Sequence, residues 1–235
     1  MLSFVVPAYN EERLLGATLA AIHAAALSCG EPHEVVVADD ASSDRTAELA
    51  AAHGARVVHV NCRQIAATRN AGAHAARGEM LVFVDADTLV NADVVRAAVE
   101  AMRAGAVGGG APVRFDGRIP LYARLLLPLL VWSFRINRLA AGCFLFCRRS
   151  AFEATAGWDE RYFGGEEVIF SQALKRQGRF VVLRASVLTS GRKLRAYSGG
   201  ELFSTVLRLA LRGRRGVQQR EGLDIWYAER REDRP

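Results

Sequence analysis

The chain has 235 residues, 51% of them hydrophobic, 24% charged and 8% aromatic, with a formal net charge of +6. Those proportions sit near globular averages and exclude disordered, collagen-like and coiled-coil classes, while the length fits one domain of roughly 100–200 residues with an extension. The most apolar stretch, Ile119–Phe134, is broken by Pro120, Arg124 and Pro128, and its charge-free part is about half of the ~20 residues a membrane span requires.

The chain opens on Leu2-Ser3-Phe4-Val5-Val6-Pro7 without a basic and then apolar leader, so no secretory signal is expected and the setting is read as cytoplasmic. Short β-branched runs recur at Leu2–Val6, Glu34–Ala38, Ala55–Val60 and Met80–Val84. Helical patterns lie between them. In the first, Leu15, Leu19, Ile22 and Ala26 fall on one face. Asn10 before Glu11-Glu12 and Ser43-Asp44 before Arg45 read as helix N-caps. Alternating strands and helices with continuously apolar strands imply an α/β fold with a mostly parallel sheet covered by helices.

Past Leu89 a helix is expected over Asp93–Ala104, a turn at Gly108–Gly110, a strand at Ala111–Phe115 and a helix over Tyr122–Arg138 that Pro128 should kink. A strand at Cys143–Arg148 leads to a helix at Ser150–Thr155. Gly164-Gly165-Glu166-Glu167 opens another helix to Lys175, Phe180–Leu183 reads as the last strand, and Glu201–Arg212 as a basic amphipathic helix.

Charge is unevenly spread. Arg192–Pro235 carries 11 basic and 6 acidic residues, and Arg103–Arg149 holds 8 arginines against Asp116 alone. Such a balance suits an anionic partner, yet without a recognition motif or interleaved aromatics it does not indicate nucleic acid. The four cysteines show no C-x-x-C spacing, and the five histidines all lie in the first third, so a disulfide framework and a structural zinc are both unexpected.

In open α/β sheets ligands bind beyond the carboxyl ends of the strands. Here those ends read Pro7-Ala8-Tyr9-Asn10-Glu11-Glu12, Asp39-Asp40-Ala41-Ser42-Ser43-Asp44 and Asp85-Ala86-Asp87-Thr88. Three acidic clusters on one rim repel one another unless a cation sits among them, and a divalent ion with oxygen ligands that also grips phosphate meets that need. The first turn lacks G-x-G-x-x-G, and no G-x-x-x-x-G-K-[ST] occurs, which excludes dinucleotide-binding and P-loop readings.

Four segments in register resemble family 2 glycosyltransferases. They are Ser3–Glu12, Val36–Thr46, the run from Ala67-Thr68-Arg69-Asn70 to Val84-Asp85-Ala86-Asp87, and Gly157-Trp158-Asp159-Glu160 followed by Gly165-Glu166-Glu167. The resemblance, spanning about Leu2 to Leu183, implies a GT-A fold with residues 1–190 as catalytic domain. Residues 1–110 would form the nucleotide-sugar half, 111–190 the acceptor side and 191–235 a basic helical extension. It implies a nucleotide-diphosphate sugar donor, by default a UDP-sugar with GDP-sugar as the other option, and inversion at the anomeric carbon. Asp40, beside Asp39, would accept the base N–H, with Pro7, Ala8 and Tyr9 walling the base, Glu11 near the ribose and Arg69 at the nucleotide. Asp87 would hold Mg²⁺ or Mn²⁺. Asp85 would hold the ribose or the ion's waters, with Ala86 in the same nucleotide-sugar set. Glu167, with Glu166 beside it, would take the acceptor's proton.

The chain departs from the family pattern in three places: glutamate stands at 167 where aspartate is usual, no histidine follows His74, and Gln218-Gln219-Arg220 is not followed by tryptophan. The first keeps a non-catalytic nucleotide-sugar-binding relative as an alternative. The second leaves the ion to Asp87, diphosphate and water, with Arg192-Lys193 adding positive charge. The third favours single-sugar transfer over polymerisation. A haloacid-dehalogenase-type phosphatase, suggested by Val82–Asp87, is the weaker rival because three strands precede that motif. The acceptor is open. A lipid-linked acceptor and contact with a membrane surface gain weight if Leu125–Trp132 is exposed.

Overall fold

Leu2–Ala8 (β1) is buried at all seven positions, as a strand is when both of its faces are covered. In this computed structural model, which describes residues 1–201, 204, 214–223 and 227, β1 pairs in parallel with His33–Asp40 (β2) and Met80–Val84 (β4). Arg56–Val60 (β3) extends the sheet beyond β2. Beyond β4 the direction reverses at Phe144–Arg148 (β8), followed by Gly108–Gly110 (β6) and Phe180–Val182 (β9). The order β3-β2-β1-β4-β8-β6-β9 places the switch in winding between β1 and β4, where an α/β sheet opens a crevice.

Alternation along β1 sorts the core into two layers. Phe4 and Val6 pack with Leu15–Ser28 (α1), Thr46–Ala52 (α2) and Ala92–Arg103 (α4). Val5 packs with Ile65–Ala75 (α3), Arg149–Ala154 (α6) and Glu166–Gln177 (α7). Helix α4 follows the expected pattern: Asn91 Oδ1 accepts the Val94 N–H at 2.9 Å, and Val94, Val95, Ala98, Val99 and Met102 form its buried stripe. Leu121–Ile136 (α5) encloses Pro128 and buries only Ala123. A second sheet joins Thr88–Leu89 (β5), Val187–Thr189 (β10) and Val113–Phe115 (β7). Its last strand leads into a short helix at Arg192–Ala196 (α8).

Four local expectations are corrected. The glycine run at 108–110 is a strand, not a turn, because its neighbours approach too closely for side chains. A Cβ on Gly109 would collide with the Val181 carbonyl and the Phe146 ring. The strand expected at Ala111–Phe115 is shorter, Val113–Phe115, and belongs to the second sheet. Phe180–Leu183 is not the last strand, since β10 follows it. Asn10 caps no helix: α1 begins at Leu15, and Asn10 (φ 52°) instead accepts the Ser43 N–H at 2.8 Å, tying the first strand end to the second. The amphipathic stretch expected over Glu201–Arg212 lies outside the described residues except at Glu201 and Ser204. All four cysteines are free thiols.

Candidate active site

The carboxyl ends of β1, β2 and β4 converge on α3, which buries Thr68, Arg69 and Asn70 alongside Ala66, Gly72 and Ala73. Three consecutive buried polar residues are costly unless each finds partners. Thr68 donates its hydroxyl to Asp40 Oδ2 at 3.0 Å. Asn70 clamps the loop before α7, donating to the Trp158 carbonyl at 2.9 Å and accepting the Trp158 N–H at 2.8 Å.

Arg69, 1% exposed, is the hub. Its Nη2 donates to Asp85 Oδ1 at 2.8 Å and to the Gly142 carbonyl at 3.0 Å, and its Nη1 donates to Glu166 Oε1 at 2.9 Å. The guanidinium lies 4.4 Å from the centre of the Trp158 ring. Burial opposes its charge, but Asp85, Glu166 and Glu167 outweigh that and hold its pKa above the ordinary arginine value. Arg69 thus does not extend toward a ligand as a free cation. It locks the first acid of Asp85-Ala86-Asp87 to the first acid of α7.

Glu167 follows that locked residue. It is partly buried, and a Cβ on Gly142 would lie 3.7 Å from its carboxyl carbon. Burial and the neighbouring Glu166 push its carboxyl up to about 8, against the pull of Arg69.

A second arginine spans the other side of the crevice. Arg192, at the start of α8, holds Glu11 through both guanidinium nitrogens and places Nη2 2.9 Å from Asp87 Oδ2. Asp87 Oδ1 accepts from Thr189 Oγ1 at 3.3 Å. Burial raises the Asp87 carboxyl to about 6, with Arg192 opposing and Glu11 and Asp85 reinforcing the shift. The small sheet has a clear role here: β10 carries Thr189 and Arg192 to the acids that end β4. Cys143 lies near these groups, and its thiol is raised well above its usual value by burial and by Asp85 and Asp87, with Arg69 opposing.

At the ends of β1 and β2, register sets Ala8 beside Asp39. Pro7 and Ala8 are buried and Tyr9 is exposed, with the Arg63 guanidinium 4.4 Å from the Tyr9 ring centre. Asp40 is fully engaged, accepting the Cys62 and Arg63 N–H groups at 2.7 and 2.9 Å besides Thr68. Asp39 Oδ2 faces His59 Nδ1 at 3.3 Å, whereas its buried Oδ1 has no partner among the described residues. Ala86 is buried, and its carbonyl accepts from Thr18 Oγ1 at 2.9 Å.

Of the acids singled out from the sequence, Asp85 is thus joined to Glu166 through Arg69 and Glu11 to Asp87 through Arg192, with Glu167 beside Glu166, whereas Asp39 and Asp40 engage His59 and the loop at Cys62 and Arg63. Sequence reasoning missed Thr189, the Gly142 carbonyl and the stacking of Trp158, and placed Arg192 only loosely. The single available signal was a basic pair just past the last strand. Among the described residues no three His, Cys, Asp or Glu side chains form a ready metal cage. The donor set is still all oxygen. Glu11, Asp85, Asp87, Glu166 and Glu167 outnumber Arg69 and Arg192, which suits a hard divalent cation that completes its shell with ligand oxygens.

The comparisons with known proteins give the class to which this α/β fold with its arginine-braced acids belongs. The sequence profile of glycosyl transferase family 2 matches residues 3–155, and the chain belongs to that family. A Pseudomonas aeruginosa undecaprenyl-phosphate 4-deoxy-4-formamido-L-arabinose transferase is 41% identical over 99 residues, covering 37% of this chain and 28% of that protein. A validoxylamine A glucosyltransferase from Streptomyces hygroscopicus is 33% identical over 107 residues, covering 43% and 23%. The chain thus aligns with about a quarter of the length of these relatives. Among solved structures, a Pyrobaculum calidifontis mannosyltransferase in complex with GDP-Man and Mn²⁺ superposes with a TM-score of 0.67 at 21% identity, over 89% of this chain and 61% of that one. Staphylococcus aureus TarS with UDP-GlcNAc gives 0.63 at 22%, over 88% and 64%. The fold is GT-A, and the phosphatase reading falls with the family assignment.

Proposed function

We propose that the protein moves one sugar from a nucleotide-diphosphate donor to an acceptor by a single inverting displacement assisted by a divalent cation. The observation that carries this reading is Arg69, which ties Asp85 to Glu166 and so holds together the segments that carry Asp87 and Glu167. The unpartnered Asp39 Oδ1 is the acceptor a base N–H would satisfy, so that role passes from Asp40 to Asp39. Asp40 instead holds the loop at Cys62 and Arg63.

Asp87 and Asp85 would hold the ion, Mg²⁺ or Mn²⁺. When bound, it supplies Lewis-acid stabilisation of the charge that grows on the departing diphosphate. Arg192 now occupies Asp87 Oδ2, and it must give up that contact while Glu11 keeps it at the rim. Glu167 takes the proton from an acceptor hydroxyl as the new glycosidic bond forms and the bond to the diphosphate breaks. Its raised pKa makes it a base that works on the alkaline side of neutrality.

A lipid-linked acceptor is the favoured class. Relatives named for undecaprenyl phosphate support it, as does the exposure of Leu125, Leu126, Leu129, Leu130 and Trp132. A phosphate acceptor has no proton to surrender, so Glu167 would then matter little. Transfer assays with UDP- and GDP-sugars and Mn²⁺ separate the cases. With a hydroxyl acceptor, Glu167→Gln loses about 10²–10⁴-fold in rate, whereas with a lipid phosphate it keeps most of its activity. Donor binding without turnover under any metal would instead make the protein a binding module.

A further inference from the structure

A helix on the surface of a globular domain normally turns its apolar stripe inward. Helix α5 does the reverse. Ala123 is buried, and Leu127, Val131 and Phe134 are partly covered, with Leu127 and Val131 facing Val113 and Phe115 across a groove of about 380 Å³. Outward, Leu121, Leu125, Leu129, Trp132 and Ile136 follow one another at spacings of four, four, three and four, which puts them on a single face. Leu126 and Leu130 widen that face, and the seven side chains are 52% to 68% exposed.

The surroundings are cationic. Arg114, Arg118, Arg124, Arg135 and Arg138 are exposed, and none has an acidic partner among the described residues. Asp116, the only acid between Arg103 and Arg149 in the sequence, is held by Arg195. Arg124 and Arg135 border the stripe along one edge. A second copy of the chain seated on this face would bring the two sets of arginines together, and like charges across an interface are repulsive. An anionic bilayer meets both demands, with acyl chains for the stripe and headgroups for the arginines. Sixteen residues make a helix of ~24 Å, short of the ~30 Å hydrocarbon core, and no helix among the described residues is long and apolar enough to cross a membrane.

We infer that α5 is a membrane-docking element that lies in the interface of an anionic bilayer with Leu121, Leu125, Leu129, Trp132 and Ile136 inserted. Six residues past its end, the Gly142 carbonyl accepts from Arg69, and a Cβ there would lie 3.7 Å from the Glu167 side chain. If the proposed transfer is right, docking brings the acceptor side of the crevice to the lipid surface, but the docking itself does not depend on that reading.

Flotation of the whole chain with phosphatidylcholine vesicles, with and without phosphatidylglycerol, tests this at low and high salt. The expected result is flotation with the anionic vesicles, weakened by salt, together with a blue shift of tryptophan emission that Trp132→Phe abolishes. Leu125→Glu/Leu129→Glu should lose at least tenfold in partitioning, while Leu27→Glu, at an exposed leucine on α1, should not. Far-UV circular dichroism confirms that each variant is folded. The inference is overturned if the wild type stays with the pellet at low salt, or if the double variant floats as well as the wild type. It is also overturned if the protein forms a concentration-dependent dimer that the double variant breaks and vesicles do not compete with, since the face would then belong to a second copy.

Discussion

Arg69 and Arg192 do the same chemical task in different surroundings. Each joins two carboxylates from distant segments, Asp85 with Glu166 in one case and Glu11 with Asp87 in the other. Arg69 is sealed between α3, the loop at Gly142 and the face of Trp158, with its side chain 1% exposed. The Arg192 side chain stands at the rim, 21% exposed. The sealed guanidinium is architecture, because its neighbours enclose it, while Asp85, with its side chain 29% exposed, keeps an open face. The rim bridge is exchangeable, because water can take over its contacts at low cost. A site that must admit a cation and a diphosphate needs one bridge of each kind.

The sealed bridge gives the largest expected effect. Arg69→Ala leaves Asp85 and Glu166 without their shared cation, and removing one partner of a buried ion pair costs about 3–5 kcal/mol. For a chain of this size that is on the order of a 10 °C drop in melting temperature, and differential scanning calorimetry would measure it. Arg69→Lys should rescue little, since one ammonium cannot make the three directed contacts to Asp85, Glu166 and Gly142. A loss no larger than that of Arg192→Ala would remove the distinction between the two bridges.

The rim bridge should cost less and reveal more. Arg192→Ala is expected to lower stability by about 1–2 kcal/mol, because Glu11 and Asp87 become partly hydrated. It should also strengthen Mn²⁺ binding measured calorimetrically without donor, since the ion no longer competes with a guanidinium at Asp87 Oδ2. The same variant should bind a nucleotide-diphosphate sugar more weakly. Unchanged Mn²⁺ affinity would mean that Arg192 and the ion do not share Asp87.

These bridges also mark where the sequence stops being legible. The alternation of apolar strands with helices identified β1, β2, β3 and β4, and the acids at their ends could be located because a strand end fixes where a residue sits. Arg69 was visible as part of a motif, but its partners were not. A motif places a residue on an element, whereas three hydrogen bonds depend on how separate elements pack. The glycines at 108–110 were misread because close approach of Phe146 and Val181 is a tertiary requirement with no local signature. Helix α5 was expected from its composition. That its stripe points outward could not be read from periodicity, which gives the width of a face but not its direction.

The remaining expected effect concerns pH, and it joins stability to catalysis at Glu167. The carboxyl is raised from 4.5 to about 8 by burial and by Glu166. Between those values the unfolded chain has lost the proton that the folded chain still holds, so stability falls as pH rises through that window. Asp87, raised from 3.8 to about 6, adds the same sign at the acidic end. For the partly exposed Glu167 the loss is about 1–3 kcal/mol by pH 8. Glu167→Gln should flatten the upper part of the slope and make the folded protein more stable than the wild type at pH 8, as read from urea midpoints across pH. Transfer to a hydroxyl acceptor should run the other way, rising with pH toward about 8 as the base loses its proton. Opposite slopes, both removed by one isosteric substitution, are what a carboxylate held at a stability cost for its reactivity produces. A merely structural Glu167 would move stability and leave the pH dependence of turnover in place.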